Sequence, residues 1–396
     1  MIHSLFVTKH FFSLATVAVL TLLTLGQVRG QGVAWVPGGA TKTATEAPPA
    51  VVAPPSWIGW GSVQTGFGFR DNVLLSQASE ERSGFVRSGI DATVWRAPQG
   101  RADFLASLKA EGTHYFSART VNHESVAILL SEWRYRIGDV LKFSLDARGY
   151  SFDQIYDASD TDLQQVVTEV KTLGANIGPK VRWTLRPSWW METDVEAKRL
   201  TYPDGANNRS VREGTLRLGW RPGTRFEVSV AGTEGRRNYD VRVQNSVSGR
   251  PLAGTQLKIA EREGEFRIDA TLDAAGRWKT STRASALRFR DNGVGYLNFH
   301  QRKITHEVEW TTDAWLVALK GSARRVEFAL QTVGVGISPT SQIRDDISAD
   351  LQIERKLSAR WTVYAEYTWE RNRSNDVIAS YYLNEGLLGI RWNWEK

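Results

Sequence analysis

From residue 56 onward, apolar and polar residues alternate with a period of two, in short runs separated by turn-forming clusters. In the run from Trp361 to Glu370, the side chains Trp361, Val363, Ala365, Tyr367 and Trp369 alternate with Thr362, Tyr364, Glu366, Thr368 and Glu370. Between Ile347 and Glu354, Ile347, Ala349, Leu351 and Ile353 alternate with Ser348, Asp350, Gln352 and Glu354, and the last run sends Leu388, Ile390, Trp392 and Trp394 one way and Gly389, Arg391 and Asn393 the other. Successive side chains of an extended chain point to opposite faces, so each run predicts a strand with one apolar and one polar face. Short turns are expected near residues 97–100, 137–139, 185–188, 221–224, 273–276, 311–314 and 356–358. Longer polar connections are expected near 77–83, 117–124, 157–165, 202–209, 245–256, 291–298, 338–345 and 372–380. Seven turns and eight loops in strict alternation join sixteen strands and leave both ends on the short-turn side. The stretch from Arg325 to Gly336 reads either as a long strand extension or as the start of another hairpin.

A soluble antiparallel sandwich or propeller also alternates. The tryptophans separate the alternatives. Fourteen of the sixteen stand beside the short turns: Trp57, Trp60, Trp95, Trp133, Trp183, Trp189, Trp190, Trp220, Trp278, Trp310, Trp315, Trp361, Trp392 and Trp394. A belt of amphipathic rings at one end of every hairpin suits a wall that crosses the headgroup layer of a bilayer. We assign Trp133, Trp183, Trp189, Trp220, Trp278, Trp310, Trp315, Trp361, Trp392 and Trp394 to that belt. The expected fold class is all-β: a transmembrane antiparallel up-and-down β-barrel of about sixteen strands.

The first thirty residues match an export signal. Lys9 precedes an apolar run from Phe11 to Leu25, and Val28-Arg29-Gly30 offers a cut before Gln31. The run is short for a helix that must cross about 30 Å of hydrocarbon. Residues 31–56 are rich in proline, alanine, glycine and threonine and predict a flexible periplasmic linker, with the barrel over 57–396. Removing residues 1–30 takes two basic residues and no acid from a formal charge of +7, leaving +5. That small excess comes without a basic stripe or stacking motif, so no nucleic-acid partner is expected. The absence of cysteine excludes a disulfide framework, a thiolate metal site and a cysteine nucleophile.

Parity then assigns the charged residues to the inner face. They are Lys180 and Arg182 on the sixth strand, Glu192, Asp194 and Glu196 on the seventh, Arg217 on the eighth and Glu227 on the ninth. The tenth carries Glu265, Arg267 and Asp269, the eleventh Lys279 and Arg283, the twelfth Glu307 and Glu309 and the thirteenth Lys320 and Arg324. Asp350 and Glu354, then Glu366 and Glu370, then Arg391 complete the last three strands. Basic and acidic strands alternate, so neighbours pair across the ladder and favour one register. Two roles fit this web. One is structural, a hydrated wall with a fixed register. The other is functional: basic and acidic arcs facing each other across a pore set up a transverse field that orients polar solutes with weak ion selectivity. Small inward residues, Gly66, Gly68, Gly89, Ser107, Ser144, Gly178, Gly219, Ser229, Ser281 and Ser322, are expected to leave room inside. Tyr150, Tyr364, Trp95 and Trp190 are inward aromatic candidates for a glycan path. The longest connection, 245–256, is the candidate for a loop folded into the lumen.

Catalytic signals are sparse. His123-Glu124-Ser125 is the one cluster with the residue types of a barrel hydrolase. Asp153, Asp157, Asp160 and Asp162 crowd one outer loop without the spacing of a calcium loop, so neither metal nor cofactor is expected. Arg82, Arg87, Arg209 and Arg212 are candidates at the outer rim for lipopolysaccharide phosphates.

The run Gly66-Phe67-Gly68-Phe69-Arg70-Asp71-Asn72-Val73-Leu74-Leu75-Ser76 resembles the opening strand of a family of outer-membrane β-barrel porins of Gram-negative bacteria. Some of that family accompany exopolysaccharide assembly systems. The closing run from Gly386 to Trp394 resembles the signal by which barrels are recognised by their assembly machinery, although here Glu395 and Lys396 follow the terminal aromatic residue. The resemblance implies an integral outer-membrane location with periplasmic termini, contacts with lipid, lipopolysaccharide and the assembly machinery, and a hydrophilic pore for small polar solutes or an exported polysaccharide. A non-conducting barrel that displays loops, and a barrel hydrolase, are the alternatives.

Overall fold

The computed structural model describes residues 56–77, 80–157, 167–334, 339–376 and 380–395. The expected signal peptide and almost all of the linker lie outside these residues. Sixteen strands follow one another: β1 (Trp57–Arg70), β2 (Ser83–Gln99), β3 (Ala102–Tyr115), β4 (His123–Ile137), β5 (Leu141–Asp157), β6 (Val167–Arg186), β7 (Trp189–Thr201), β8 (Arg209–Trp220), β9 (Phe226–Tyr239), β10 (Lys258–Thr271), β11 (Trp278–Asp291), β12 (Phe299–Thr311), β13 (Trp315–Val333), β14 (Thr340–Lys356), β15 (Trp361–Ser374) and β16 (Tyr381–Glu395). Each pairs antiparallel with its chain neighbours, and β1 pairs with β16 over Trp60↔Glu395 to Arg70↔Glu385. The sheet therefore closes without an edge, which removes the unpaired backbone that an open sheet would present to lipid. No helix among the described residues is long and apolar enough to cross a membrane; the wall crosses with strands.

Several boundaries differ from the sequence expectation: β1 ends at Arg70 and β9 at Tyr239, each several residues before the expected loop. The region from Arg325 on is a strand extension that carries β13 to Val333, and β14 begins at Thr340 where a loop to Asp345 was expected. The register shifts between Glu327 and Thr332, and past that shift Val333 still pairs with Thr340. An irregularity of this kind lets a pairing continue where the polar composition suggests a loop. The short turns are closed by local bonds. In the turn after β10, the Asp273 carboxylate accepts from the Trp278 backbone N–H at 2.9 Å and from the Arg277 side chain at 3.2 Å, which holds it below the usual carboxylate range.

The outward face settles what the barrel stands in. Phe67, Leu129, Ile177, Val195, Leu216, Val230, Ile304, Leu319 and Leu388 are each at least half exposed and project between the two rims. A soluble sandwich would bury such residues, and a closed sheet has no second sheet to bury them against. At the short-turn rim, all ten tryptophans assigned to the belt face outward, with Trp57 beside them. They touch along the rim: Trp189 and Trp220 rings are 6.2 Å apart, Trp278 and Trp310 6.2 Å, Trp392 and Trp394 5.5 Å, and Trp133 and Phe143 5.9 Å. Three tryptophans near the turns do not belong to the belt. Trp60, Trp95 and Trp190 fall on the inward parity of their strands, Trp60 opposite Thr93 and Trp190 opposite Gly219.

Candidate functional site: the inner wall of the barrel

Registers carry inward parity from one strand to the next. Arg182 stands opposite Glu192, Glu192 opposite Arg217, Lys279 opposite Glu309, Lys320 opposite Asp350 and Glu354 opposite Tyr364. On this ladder all twenty-one residues assigned to the inner face from parity do point inward. Their partners differ from simple neighbour pairing. Lys180 reaches Asp146 at 3.3 Å, on the strand before it, although Asp194 stands opposite on the strand after. Arg217 bridges Glu192 at 3.4 Å and Glu265 at 3.6 Å, and Arg283 closes on the same Glu265 from β11. Arg267 turns to Asp269 on its own strand, and Arg391 reaches past β15 to Glu354 at 2.9 Å. Long side chains inside a curved wall converge, so an arginine meets carboxylates one or two strands away. Lys279 meets Glu309 at 3.4 Å, Arg324 meets Asp346, Glu370 accepts from the Tyr381 hydroxyl at 2.8 Å and Asp350 from Thr368 at 3.0 Å.

Two arcs of the wall differ in depth of burial. Across β15, β16 and β1 to β4 the charges form one closed web. Arg87 bonds Glu385 at 2.6 Å and lies near Glu111 at 3.4 Å and Glu366 at 3.9 Å. Arg70 donates to the Tyr115 hydroxyl at 2.8 Å and sits 3.5 Å from Glu124 and 3.7 Å from Glu385. Tyr115 in turn donates to Glu124 at 2.7 Å. The side chains of Arg70 and Glu385 are only 11% and 13% exposed. Along β10 and β11, by contrast, the side chains of Arg267, Lys279 and Arg283 are 41%, 45% and 49% exposed although they point inward. Water reaches that part of the wall from inside the barrel.

At Gly68 and Gly219 the expectation that small inward residues open space is corrected, and Gly389 and Gly174 are covered in the same way. The room above Gly68 is taken by the Phe85 ring, that above Gly219 by Trp190, that above Gly389 by Tyr364 and that above Gly174 by Tyr150. Each ring lies flat on the wall over a glycine one strand away, a cross-strand fit that fixes register. A methyl added at Gly68 would stand 2.3 Å from Phe85 Cζ and 2.5 Å from the Gly386 carbonyl oxygen. Gly68→Ala is therefore expected to destabilise the barrel by about 1–3 kcal/mol, as overpacking does. Urea unfolding in detergent checks this, with Gly264→Ala as the control because nothing lies within 4 Å of its added methyl. Trp190 also carries the Arg182 guanidinium 3.7 Å above its ring, which holds that aromatic platform flat.

The sequence also missed an apolar inner rim. Toward the loop end, Tyr239, Ile259, Leu287, Phe289, Phe299, Val326 and Phe328 form one buried cluster capped by Leu257 and Leu297 from the loops. A second holds Phe85, Tyr115, Val121, Tyr364 and Leu387 with Val73 and Leu74. Val73 and Leu74 belong to the first loop (71–82), so this loop, and not 245–256, places apolar side chains among the inward-facing wall residues. The segment 245–256 is a self-bonded hairpin instead, with Asn245 bridging Pro251, the Leu252 N–H bonding the Gln244 carbonyl, and Gly249 lying against Tyr296 of the next loop. The first loop is clamped to β16. Asp71 holds the Asn384 backbone N–H at 2.8 Å and side-chain amide at 2.6 Å, and the Asn72 amide donates to the Tyr382 carbonyl at 2.8 Å. Asn72 also closes a turn on Ser76 with two bonds of 3.0 Å, and Leu75 takes a φ of +51° against Tyr381 and Leu383. Left-handed backbone at a leucine costs about 1–2 kcal/mol, so packing and the clamp hold it there.

The remaining candidates separate. Strand alternation sends His123 and Ser125 outward and Glu124 inward to Tyr115, so the hydrolase cluster is not assembled. Asp153 pairs with Lys171 at 3.3 Å, and the loop holding Asp160 and Asp162 lies outside the described residues, as does the side chain of Asp157. No group of three or more metal-binding side chains occurs among the described residues. Of the four rim arginines, Arg82 pairs with Glu80 at 3.6 Å and Arg212 faces outward. Arg87 and Arg209 face inward, Arg209 buried between Tyr202 and Tyr239.

An edgeless wall, apolar outside and charged inside, with aromatic rings at one rim, defines a transmembrane β-barrel of the outer-membrane type. The chain is distantly similar to several solved structures. OccAB3 of Acinetobacter baumannii is 10% identical with a TM-score of 0.46, over 86% of this chain and 99% of its own. OpdL of Pseudomonas aeruginosa is 9% identical with a TM-score of 0.43, over 86% and 99%, and a bacterial polysaccharide outer membrane secretin is 9% identical with a TM-score of 0.40, over 84% and 97%. Likenesses this distant carry nothing about solute or mechanism, and the fold rests on the register itself. No protein-family model matches the sequence, and no curated protein matches it.

Proposed function

We propose that this barrel is a water-filled outer-membrane pore for hydrophilic solutes, with both ends of the chain on the periplasmic side. The observation that carries the reading is the exposure of inward-facing Arg267, Lys279 and Arg283. A plugged barrel would bury these charges as the web around Arg87 is buried, whereas Arg267, Lys279 and Arg283 keep their carboxylate partners Asp269, Glu309 and Glu265 and still stand exposed on the inner face. The conducting path then runs along β6 to β13, beside the closed web rather than through it. Small polar or zwitterionic solutes fit such a path, and Tyr150, flat on the wall over Gly174, suits the face of a sugar ring. An exported polysaccharide is the larger cargo this path favours.

Charge is balanced along the wall but unevenly placed. Arg134, Arg136, Lys142, Arg148, Lys180 and Arg182 give β4 to β6 a basic excess, and β14 to β16 across the lumen carry Asp350, Glu354, Glu366, Glu370 and Glu385. The field is transverse, so weak selectivity between small ions follows. Planar-bilayer recordings of the folded protein are expected to show discrete conductance steps with a reversal potential near zero under a salt gradient. The double variant Lys279→Glu/Arg283→Glu is expected to shift that potential toward cation selectivity without abolishing the steps. A silent bilayer from correctly folded protein would sink the pore reading.

A further inference from the structure

Three like-charge pairs stand directly opposite each other on the outward face, at one height near the loop end. Arg212 faces Arg236 across β8 and β9, Arg262 faces Arg288 across β10 and β11, and Arg302 faces Arg325 across β12 and β13. Arg290 and His300 lie beside them, and all eight are exposed. Like charges directly opposite on a sheet destabilise it, so six strands with three such pairs form a costly surface in isolation. Local acids relieve little of this. Arg262 has Glu234 at 3.5 Å, and Arg325 has Glu327 at 2.8 Å and Asp345 at 3.9 Å, all on exposed side chains. Among the described residues, no carboxylate lies within 4 Å of Arg212, Arg236, Arg288 or Arg302.

Their height is the second observation. Arg212 lies eight residues from Trp220 and Arg302 eight from Trp310, while Arg288 lies ten from Trp278 and Arg325 ten from Trp315. At about 3.3 Å per residue and a tilt of about 40°, this places the arginines roughly 20–25 Å above the tryptophan rim. That matches an apolar band of about 25 Å. Leu216, Val230, Phe266, Ile304 and Leu319 fill the interval and are exposed. The arginines therefore stand where hydrocarbon gives way to headgroups at the loop end, which is the outer leaflet on the proposed reading that both chain ends are periplasmic.

We propose that the outward arc of β8 to β13 docks the phosphate groups of an anionic glycolipid of the outer leaflet, each facing arginine pair clasping a phosphate through charge-assisted bonds. The acyl chains of that lipid run down the apolar wall below, which a soluble anion cannot use. This surface is separate from the lumen; it rests on the proposed orientation of the barrel and not on whether the lumen conducts.

The test uses full-length folded protein in neutral detergent, titrated with bisphosphorylated lipid A, with lipid A stripped of phosphate, and with inorganic phosphate. Lipid retention is read by native mass spectrometry and unfolding temperature by gel mobility. Wild-type protein is expected to hold bisphosphorylated lipid A at least tenfold more tightly than the stripped form and to unfold later with it. The variant R212Q/R236Q/R302Q/R325Q is expected to lose that difference while keeping the gel mobility of the folded barrel. If the quadruple variant does not fold, R212Q/R236Q and R302Q/R325Q carry the test separately, each with a partial loss. Equal retention by the variants would overturn the proposal. So would an equal thermal shift from inorganic phosphate, which would make the site a simple anion site.

Discussion

Glu385→Ala is expected to lower the stability of the folded barrel by about 3–5 kcal/mol, the cost of leaving a buried charge without its partner. Glu385 is shared by two arginines, bonding Arg87 at 2.6 Å and lying 3.7 Å from Arg70. Its removal leaves both guanidinium groups in a web with little access to water. Glu124, Glu111 and Glu366 remain nearby, which sets the expectation at the lower end of that range. The same change at Glu327, whose pair with Arg325 is exposed on the outer face, is expected to cost less than about 1 kcal/mol. Urea titration in lipid vesicles, followed by tryptophan fluorescence, compares the two. Equal losses would mean that the inner web is as hydrated as the surface and that the closed arc has been misjudged.

Replacing Val73-Leu74-Leu75 by Gly-Ser-Gly is expected to raise single-channel conductance and to make the first loop sensitive to protease. Val73 and Leu74 are almost fully buried in the cluster of Phe85, Tyr115, Tyr364 and Leu387, and Leu75 in that of Tyr381 and Leu383; deleting buried groups of this size costs about 2–5 kcal/mol each. The loss falls on the loop, because the wall strands keep their ladders and the loop can open alone. Asn72→Ala is expected to act in the same direction by a milder route. It removes the bonds to Ser76 and to the Tyr382 carbonyl but leaves the apolar contacts in place, so brief flickering to a larger conductance is the expected signature. An unchanged conductance in both variants would show that the loop lies against the wall without narrowing the path.

The two predictions concern the parts of the molecule that alternation does not encode. The inner positions Val126, Ile128 and Leu130 illustrate why. β4 reads apolar at both parities from Val126 to Leu130, a loss of alternation that marks an apolar patch inside the lumen but gives no partner for it. Phe85 and Tyr115 come from β2 and β3, Tyr364 and Leu387 from β15 and β16 at the other end of the chain, and β1 joins β16 only when the barrel closes. The Arg87 web depends on the same closure. Residues 71–76 resemble part of a family's opening strand, yet nothing in Asp71-Asn72-Val73-Leu74-Leu75 announces a clamp on Asn384 and Tyr382, more than three hundred residues away.

By itself the sequence determined a strand count of about sixteen, the alternation of turns and loops, the polar and apolar face of most strands and the rim marked by tryptophan. Those properties are local: a period of two, turn residues and the preference of indole for an interface act within a few residues of each position. Only the tertiary structure decided which carboxylate each arginine meets, that rings from neighbouring strands fill the space over Gly68, Gly219 and Gly389, that the first loop lies among the wall residues, and that three pairs of arginines face each other outside. Those properties depend on register and curvature, which are fixed when sixteen strands close on themselves and long side chains are brought to a common point.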